Sequence, residues 1–327
     1  MDPEVSIVIP MYNEEDIILE LYRRIVNIMQ LWPIEIIFVD DGSVDRSRSL
    51  LNQLAEKDGR VKIVGLSRNF GHEIATTAGL HYASGEAVIL MDADLQDPPE
   101  LIPVMMNLWK NGQYEVVYGI RQERKGEGWM KKTTSTLFYY VLNRISGIPI
   151  PRNVGDFRLM SRSVVDAMNQ MPERRRFVRG MVAWTGFRQI GIPYVREARL
   201  QGQTKYSMRK LLHLSVEAIV AFSERPLKLG TRLGFCGAMF GFIYAGWIVS
   251  QKIAHPRSII PGWASVIVTV LIMGGANLFV LGVIGEYIGR ILDEVRGRPL
   301  YLVDQLANFN EADHTRSTSV HMARRQL

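Results

Sequence analysis

The chain has 327 residues, enough for one large α/β domain with an appendage or for two ordinary domains. Its net charge of +6 is modest, and the basic residues cluster at Arg121–Lys132, Arg174–Arg179 and Arg196–Lys210, a pattern that suits anionic lipid and phosphate better than a nucleic-acid groove. No nucleic-acid motif is present. The lone cysteine, Cys236, excludes an internal disulfide framework and a Cys-rich metal site; it falls in an apolar stretch and reads as a small packing residue.

Val5–Pro10 reads as a buried strand stopped by proline, followed by a Met11–Glu15 loop and helical spacing over Asp16–Met29. A second strand, Ile34–Val39, runs into Asp40-Asp41-Gly42-Ser43, where Gly42 permits a tight turn and Ser43 is placed to cap a helix starting near Val44. The third strand, Val61–Leu66, runs into Ser67–His72, with a helix to about Tyr82. The fourth carries Met91-Asp92-Ala93-Asp94-Leu95-Gln96-Asp97, and Pro98-Pro99 opens the next helix. Tyr114–Tyr118 is a fifth strand. This alternation predicts a doubly wound, mostly parallel sheet.

Ligands of such sheets bind beyond the carboxyl ends of the strands. Those ends repeat one theme: Asn13 and Glu14, Asp40 and Asp41, Arg68 and Asn69, Asp92 and Asp94. Alternate residues of an extended segment share a face, so Asp92, Asp94 and Gln96 are expected to point one way. Two such carboxylates repel unless a cation lies between them, and Mg²⁺ or Mn²⁺ fits a site completed by substrate phosphates. Neither Gly-x-Gly-x-x-Gly after a strand nor a P-loop occurs, which removes support from dinucleotide oxidoreductase and P-loop readings.

Val8-Ile-Pro-Met-Tyr-Asn-Glu14, Val39-Asp-Asp-Gly-Ser43 and Met91–Asp97 resemble, in order and spacing, the opening motifs of the inverting GT-A glycosyltransferases that include dolichol-phosphate-mannose synthase. Asn153–Ser161, Met171–Arg174, Arg196–Tyr206 and Gly285–Arg290 are similar to segments of the bacterial bactoprenol (undecaprenyl-phosphate) glucosyltransferases. The resemblance covers roughly Val5–Leu302. It implies a GT-A fold and transfer of a hexose, with glucose first in line, from a UDP-sugar to undecaprenyl phosphate with inversion. It also implies that Pro10, Tyr12, Glu14 and Asp41 line the nucleotide site with Asp40 beside them; Arg68 and Asp92 are counted there as strand-end residues. Asp94 is the expected catalytic metal ligand, with Asp92 and Gln96 completing the set. Asp156, in Gly155-Asp-Phe-Arg158, supplies the acidic group usually assigned as base. A lipid phosphate is already largely ionised near neutral pH, so Asp156 is left with three roles: orienting the nucleophile, taking a residual proton, or holding a basic partner such as Arg158. Two phosphate-bearing substrates must meet, and Arg121, Lys131, Arg199 and Lys205 are the candidate cations for the acceptor phosphate.

Leu233–Gln251 and Trp263–Gly285 contain no charged residue, and each is long enough to cross a bilayer core of about 30 Å. Their glycines suit close packing of one helix on the other. Trp129–Ile145 and Tyr206–Phe222 mix basic and apolar residues as interfacial helices do. The expected organisation is a GT-A domain over 1–205, a juxtamembrane helix over 206–228, two membrane helices over 229–291 and a C-terminal segment over 292–327, disordered from about 308. No basic-then-apolar signal segment opens the chain, and Lys and Arg flank the spans more densely than their connecting loop. Both termini are therefore expected on the cytoplasmic side of a bacterial inner membrane. Self-association is left open. Open alternatives are another sugar on the same lipid, such as formamido-arabinose or mannose, and a non-catalytic scaffold or flippase subunit. A processive polysaccharide synthase loses support because Gln-x-x-Arg-Trp is missing.

Overall fold

The computed structural model describes residues 3–122, 154–174, 176–195, 225–254 and 262–310. The chain divides into two compact units, one comprising Met1–Asn143, Gly147–Lys205 and Gly297–Leu327, the other Arg144–Ser146 and Tyr206–Arg296.

In the first unit, β1 (Val5–Met11), β2 (Ile34–Asp40), β3 (Val61–Leu66) and β4 (Ala87–Leu90) alternate with α1 (Ile18–Ile28), α2 (Ser47–Lys57) and α3 (His72–Tyr82). A 3₁₀ turn at Pro99–Leu101 leads into α4 (Ile102–Lys110), followed by β5 (Val116–Arg121), β6 (Val154–Ser161), α5 (Arg162–Gln170), α6 (Val178–Trp184) and β7 (Gln189–Tyr194). After the second unit the chain returns as β8 (Val303–Ala307). The eight strands form one sheet in the order β7-β5-β6-β4-β1-β2-β3-β8.

Every residue of β1 and β2 is buried, as parallel strands covered on both faces must be. Alternate residues serve opposite layers: Ile7, Ile9, Ile36 and Phe38 face one core with Ile18, Leu21 and Ile25 of α1, while Val8, Ile37 and Val39 face the other with Ala75 and Ala78 of α3. The spacing of Ile18, Leu21 and Ile25 is the single buried stripe of an amphipathic helix.

Three features depart from the expected pattern. β6 enters between β4 and β5 and runs antiparallel to both. β8 pairs antiparallel with β3, so part of the C-terminal segment belongs to the sheet; residues 311–327, where disorder is expected, lie outside the described residues. Helix α2 starts at Ser47, not near Val44: the Asp45 carboxylate accepts the Ser47 N–H at 2.9 Å, while the Ser43 hydroxyl accepts the Asn13 N–H at 3.0 Å. Ser43 therefore tethers the loop after β1 instead of capping a helix.

The second unit holds α7 (Arg225–Ala254) and α8 (Trp263–Val295). Among the described residues one helical segment, Ile272–Val295, is long and apolar enough to cross a membrane, with mean hydropathy 1.4; Gly234–Tyr244 of α7 is a shorter apolar stretch. Gly230 approaches Val280 and Gly237 approaches Met273, but Gly234, Gly241, Gly246, Gly274, Gly275 and Gly282 meet no described atom within 4 Å of an added Cβ. Among the described residues, close glycine packing is therefore seen at two positions. Cys236 is exposed on α7 rather than packed. The segments Trp129–Ile145 and Tyr206–Phe222 lie outside the described residues.

Candidate active site

The strand ends after β1, β2, β3 and β4 share one edge of the sheet, and each expected cluster lies there. Asp41 is buried, and its two carboxylate oxygens accept the Phe70 N–H at 2.7 Å and the Gly71 N–H at 2.9 Å. It thereby fixes the loop from β3 to α3. Burial raises its pKa, and these two N–H bonds oppose the rise. Asp40 is fully buried, with one oxygen taken by the Ser43 N–H at 2.9 Å and the other by Arg48 Nε at 2.7 Å. Its carboxylate braces the turn. Pro10 is buried within β1, whereas Tyr12 is exposed and Glu14 part-buried. Asn13, at φ 56°, accepts the Val44 N–H at 2.9 Å, and the Glu14 N–H donates to the Ser47 hydroxyl at 3.0 Å. The β1 and β2 loops are thus cross-bonded. Arg68 is exposed, its guanidinium 4.1 Å from the centre of the Phe70 ring.

Gly42 has φ +70°, and a Cβ there would stand 2.5 Å from the Arg68 carbonyl carbon and 2.7 Å from the Asn69 nitrogen. A side chain would push the β3–α3 loop away from Asp41. Gly42→Ala is expected to destabilise the protein by about 2–4 kcal/mol, readable as a lower midpoint in thermal unfolding.

Beyond Leu90 the chain leaves the strand and turns, with Leu95 at φ 55°. The expected common face of Asp92, Asp94 and Gln96 therefore does not form by strand alternation. Gln96 is buried, and its N–H donates to the Asp94 carboxylate at 3.2 Å. What faces Asp92 comes from elsewhere. Leu90 pairs with Arg158 at the end of the antiparallel β4–β6 ladder, and just beyond it Asp92 and Asp156 bring carboxylate oxygens within 4.8 Å of each other. His72, the first residue of α3, places Nε2 3.5 Å from Asp92 and 3.4 Å from Asp156.

Asp156 is buried and gripped by Arg179, whose Nε and Nη2 lie 2.8 and 2.9 Å from its two oxygens; Arg158 Nη2 is 3.9 Å away. Burial opposes its ionisation, but Arg179, His72 and Arg158 outweigh burial and hold its carboxyl well below the usual carboxylate range. Burial likewise works against the charge on His72, yet the bond to Asp156 and the fields of Asp92, Asp156 and Glu73 raise its pKa to about 9. Asp92 goes the other way: burial and the neighbouring Asp156, Asp97 and Asp94 overcome His72 and lift it to about 6. Arg158 is entombed, and burial lowers its pKa to about 10. Glu73 accepts the Val178 N–H at 2.9 Å, holding the start of α6 so that Arg179 meets Asp156. Arg121, at the end of β5, lies against the backbone of Gly155, 3.7 Å from Asp97 and bonded to the Tyr194 hydroxyl at 3.2 Å. Lys131, Arg199 and Lys205 lie outside the described residues.

The ligand atoms of His72, Asp92 and Asp156 lie within 4.8 Å of one another. Carboxylates crowded enough to raise Asp92 to about 6 are a setting that a divalent cation would relieve, so the site fits one. His72 carries a proton while it bridges the two acids and must lose it to become a ligand. Asp156 is already committed to Arg179. Asp92 and its neighbour Asp94 are further carboxylates at this strand end.

His72, Arg179 and Glu73 are the parts that sequence reasoning missed. His72 was visible only as the residue ending Ser67–His72, and Arg179 only as one member of a basic cluster. Nothing local ties either to Asp156, 84 and 23 residues away.

A family model described as "Glycosyl transferase family 2" matches residues 6–168. An uncharacterized glycosyltransferase of Bacillus subtilis, YkcC, is 49% identical over 92% of this chain and 94% of its own length. The SfII prophage-derived bactoprenol glucosyl transferase of Shigella flexneri is 40% identical, covering 92% of this chain and 97% of that protein. Among solved structures, a mannosyltransferase of Pyrobaculum calidifontis overlaps 90% of this chain and 88% of its own, with TM-score 0.47 and 17% identity. The chain belongs to glycosyl transferase family 2 and is a glycosyltransferase with a GT-A-like, mostly parallel α/β sheet.

Proposed function

We propose that the protein transfers a hexose, glucose first among the candidates, from a UDP-sugar to polyprenyl phosphate at the cytoplasmic membrane face, with inversion. The single observation that carries this reading is the side-chain cluster at the strand ends, where Asp92 and Asp94 stand beside the charged groups Asp156, His72, Arg179 and Arg121. The bactoprenol glucosyl transferases to which the chain is similar support the acceptor and the sugar.

The donor's uridine is assigned to the loops after β1, β2 and β3, around Tyr12, Glu14, Asp41 and Arg68. Bound Mg²⁺ or Mn²⁺, held by Asp94 and Asp92 with Gln96 behind them, would neutralise the charge developing on the departing diphosphate. The acceptor phosphate oxygen attacks the sugar's anomeric carbon as the bond to UDP breaks, which inverts the configuration. Asp156 is a poor base, because Arg179 and His72 keep it ionised and occupied. Its proposed work is to align those two cations, with Arg121 beside them, toward the acceptor phosphate. Lys131, Arg199 and Lys205 join that group as further candidates. Domain limits, the two-span hairpin and the inside location of both termini stand as proposals of the same reading, supported by the apolar Ile272–Val295 segment.

The deciding experiment incubates the full-length protein in detergent with undecaprenyl phosphate and a panel of radiolabelled nucleotide sugars. UDP-glucose is expected to give the lipid-linked product, with a β-anomeric proton by NMR from an α-linked donor. Transfer of another sugar in preference to glucose would replace the donor, and retention of configuration would replace the mechanism.

A further inference from the structure

The segment that follows α8 runs along the first unit and reaches the strand ends where the donor loops begin. The Arg174 guanidinium donates to the Arg298 carbonyl, and the Ser67 N–H donates to the Leu302 carbonyl at 2.9 Å. β8 then adds to the sheet beside β3. The amide of Gln305 donates to Asn52 at 2.8 Å. Asn308, at φ 59°, donates its amide to the carbonyls of Ala55 and Val61 at 2.7 and 2.8 Å. Phe309 stands 5.2 Å from Tyr82, ring centre to ring centre.

One side chain joins this strand to the donor loops. Arg48, on α2, spends Nε on the buried Asp40 at 2.7 Å, Nη2 on the Leu66 carbonyl at 3.0 Å and Nη1 on Asp304 of β8 at 2.8 Å. These acceptors sit at the end of β2, at the end of β3 and on β8. The other oxygen of Asp40 fixes the Ser43 N–H, and the next residue, Asp41, holds the backbone of Phe70 and Gly71. Asp40 and Leu66 end neighbouring strands, with Asp40 paired to Gly65 in the β2–β3 ladder, and one guanidinium bonds both strand ends and β8 at once, fixing the side chain on which the turn after Asp40 leans. A planar fork of five N–H donors can serve three acceptors in different directions, and an ammonium on a flexible stem cannot do so with the same precision.

We propose that Arg48 is a positioning residue for the donor nucleotide and that β8 is the strap that keeps it in place, so that the segment following α8 sets donor affinity. This rests on the reading of the β2 and β3 loops as the donor site. Asp304 is largely exposed, so its pair with Arg48 adds little to stability by itself. Its effect is expected in the orientation of the guanidinium.

The test uses full-length protein in detergent with Mg²⁺ present, measuring the Kd for UDP by calorimetry together with donor KM, acceptor KM and kcat. Arg48→Lys is expected to raise the UDP Kd and the donor KM by about tenfold, the scale of one charge-assisted hydrogen bond, with kcat at saturating donor within about twofold of wild type. Asp304→Asn should raise both by about threefold. Asn308→Gly, which keeps the backbone angle but releases the strap, should act in the same direction. Combining Arg48→Lys with Asp304→Asn should be no worse than Arg48→Lys alone, a non-additivity that general loosening of the fold does not produce. An unchanged UDP Kd in folded Asp304→Asn and Arg48→Lys, or a fall in kcat with donor affinity intact, overturns the proposal. Should Arg48→Lys fail to fold, the exposed Asp304→Asn decides alone. Asp41→Asn separates the two readings: UDP binding that survives it removes the donor-site assignment itself, whereas its loss beside an unaffected Asp304→Asn removes only the strap.

Discussion

Asparagine in place of Asp156 is expected to lower turnover by about 10²- to 10³-fold, the cost of losing one preorganised electrostatic group in an active site. The carboxylate makes two short bonds to Arg179 and one longer approach to His72, so the amide would release both cations from the place where the acceptor phosphate is proposed to bind. UDP binding should persist, because the donor loops are braced by Asp40, Asp41 and Arg48 and not by Asp156. Steady-state kinetics beside UDP calorimetry on one preparation makes the check. Loss of UDP binding in proportion to activity would move Asp156 into the donor site. The pH profile adds a second reading. Asp156 is held well below the ordinary carboxylate range, so it stays ionised as pH falls through 5 and cannot supply an acid limb above that pH. At subsaturating metal a wild-type acid limb near pH 6 is expected from Asp92 instead, moving to lower pH as the cation is raised. Assignment of that limb to Asp156 would restore it as a general base.

Removal of the divalent cation should have an effect of similar size. EDTA is expected to abolish transfer and added Mg²⁺ or Mn²⁺ to restore it, while Asp94→Asn should lose most activity in a protein that still folds. The sign of the pH dependence follows from Asp92. Its pKa of about 6 without a cation means that a proton competes for the carboxylate below that pH. Mn²⁺ affinity, followed by its paramagnetic relaxation of water, should therefore fall as pH drops through 6, with a further rise toward pH 9 where His72 gives up its proton. Full turnover in excess chelator would remove the metal from the mechanism.

These two expectations draw on different levels of information. The candidacy of Asp94 was legible in one short stretch, because an apolar run that ends in Asp-x-Asp-x-Gln marks a strand end with clustered acids. The company Asp156 keeps was not. Arg179 reaches it from α6, His72 from the start of α3 and Asp92 from the turn after β4. Strand β6 inserts antiparallel between β4 and β5, a choice that local periodicity does not encode, since a buried strand reads the same in either direction.

Local patterns along the chain are enough to give the alternation of strands and helices, the edge of the sheet that would carry ligands, the acids and Asn13 at that edge, and the long uncharged stretches near the C-terminus. These are properties of neighbours along the chain: burial patterns of period 2 and 3.6, turn residues, and charge where an apolar run stops. That Asp40 faces inward to Arg48 while Asp41 clamps the next loop emerges only in the folded chain, because two adjacent carboxylates look alike until their partners arrive. The folded chain also decides that the alternation of Asp92, Asp94 and Gln96 breaks at a turn, that His72 and Arg179 set the charge state of Asp156, and that β8 returns to the edge of β3. Each of these depends on groups distant in sequence meeting in a low-dielectric interior, where the pairing of charges, rather than their identity, sets what they do.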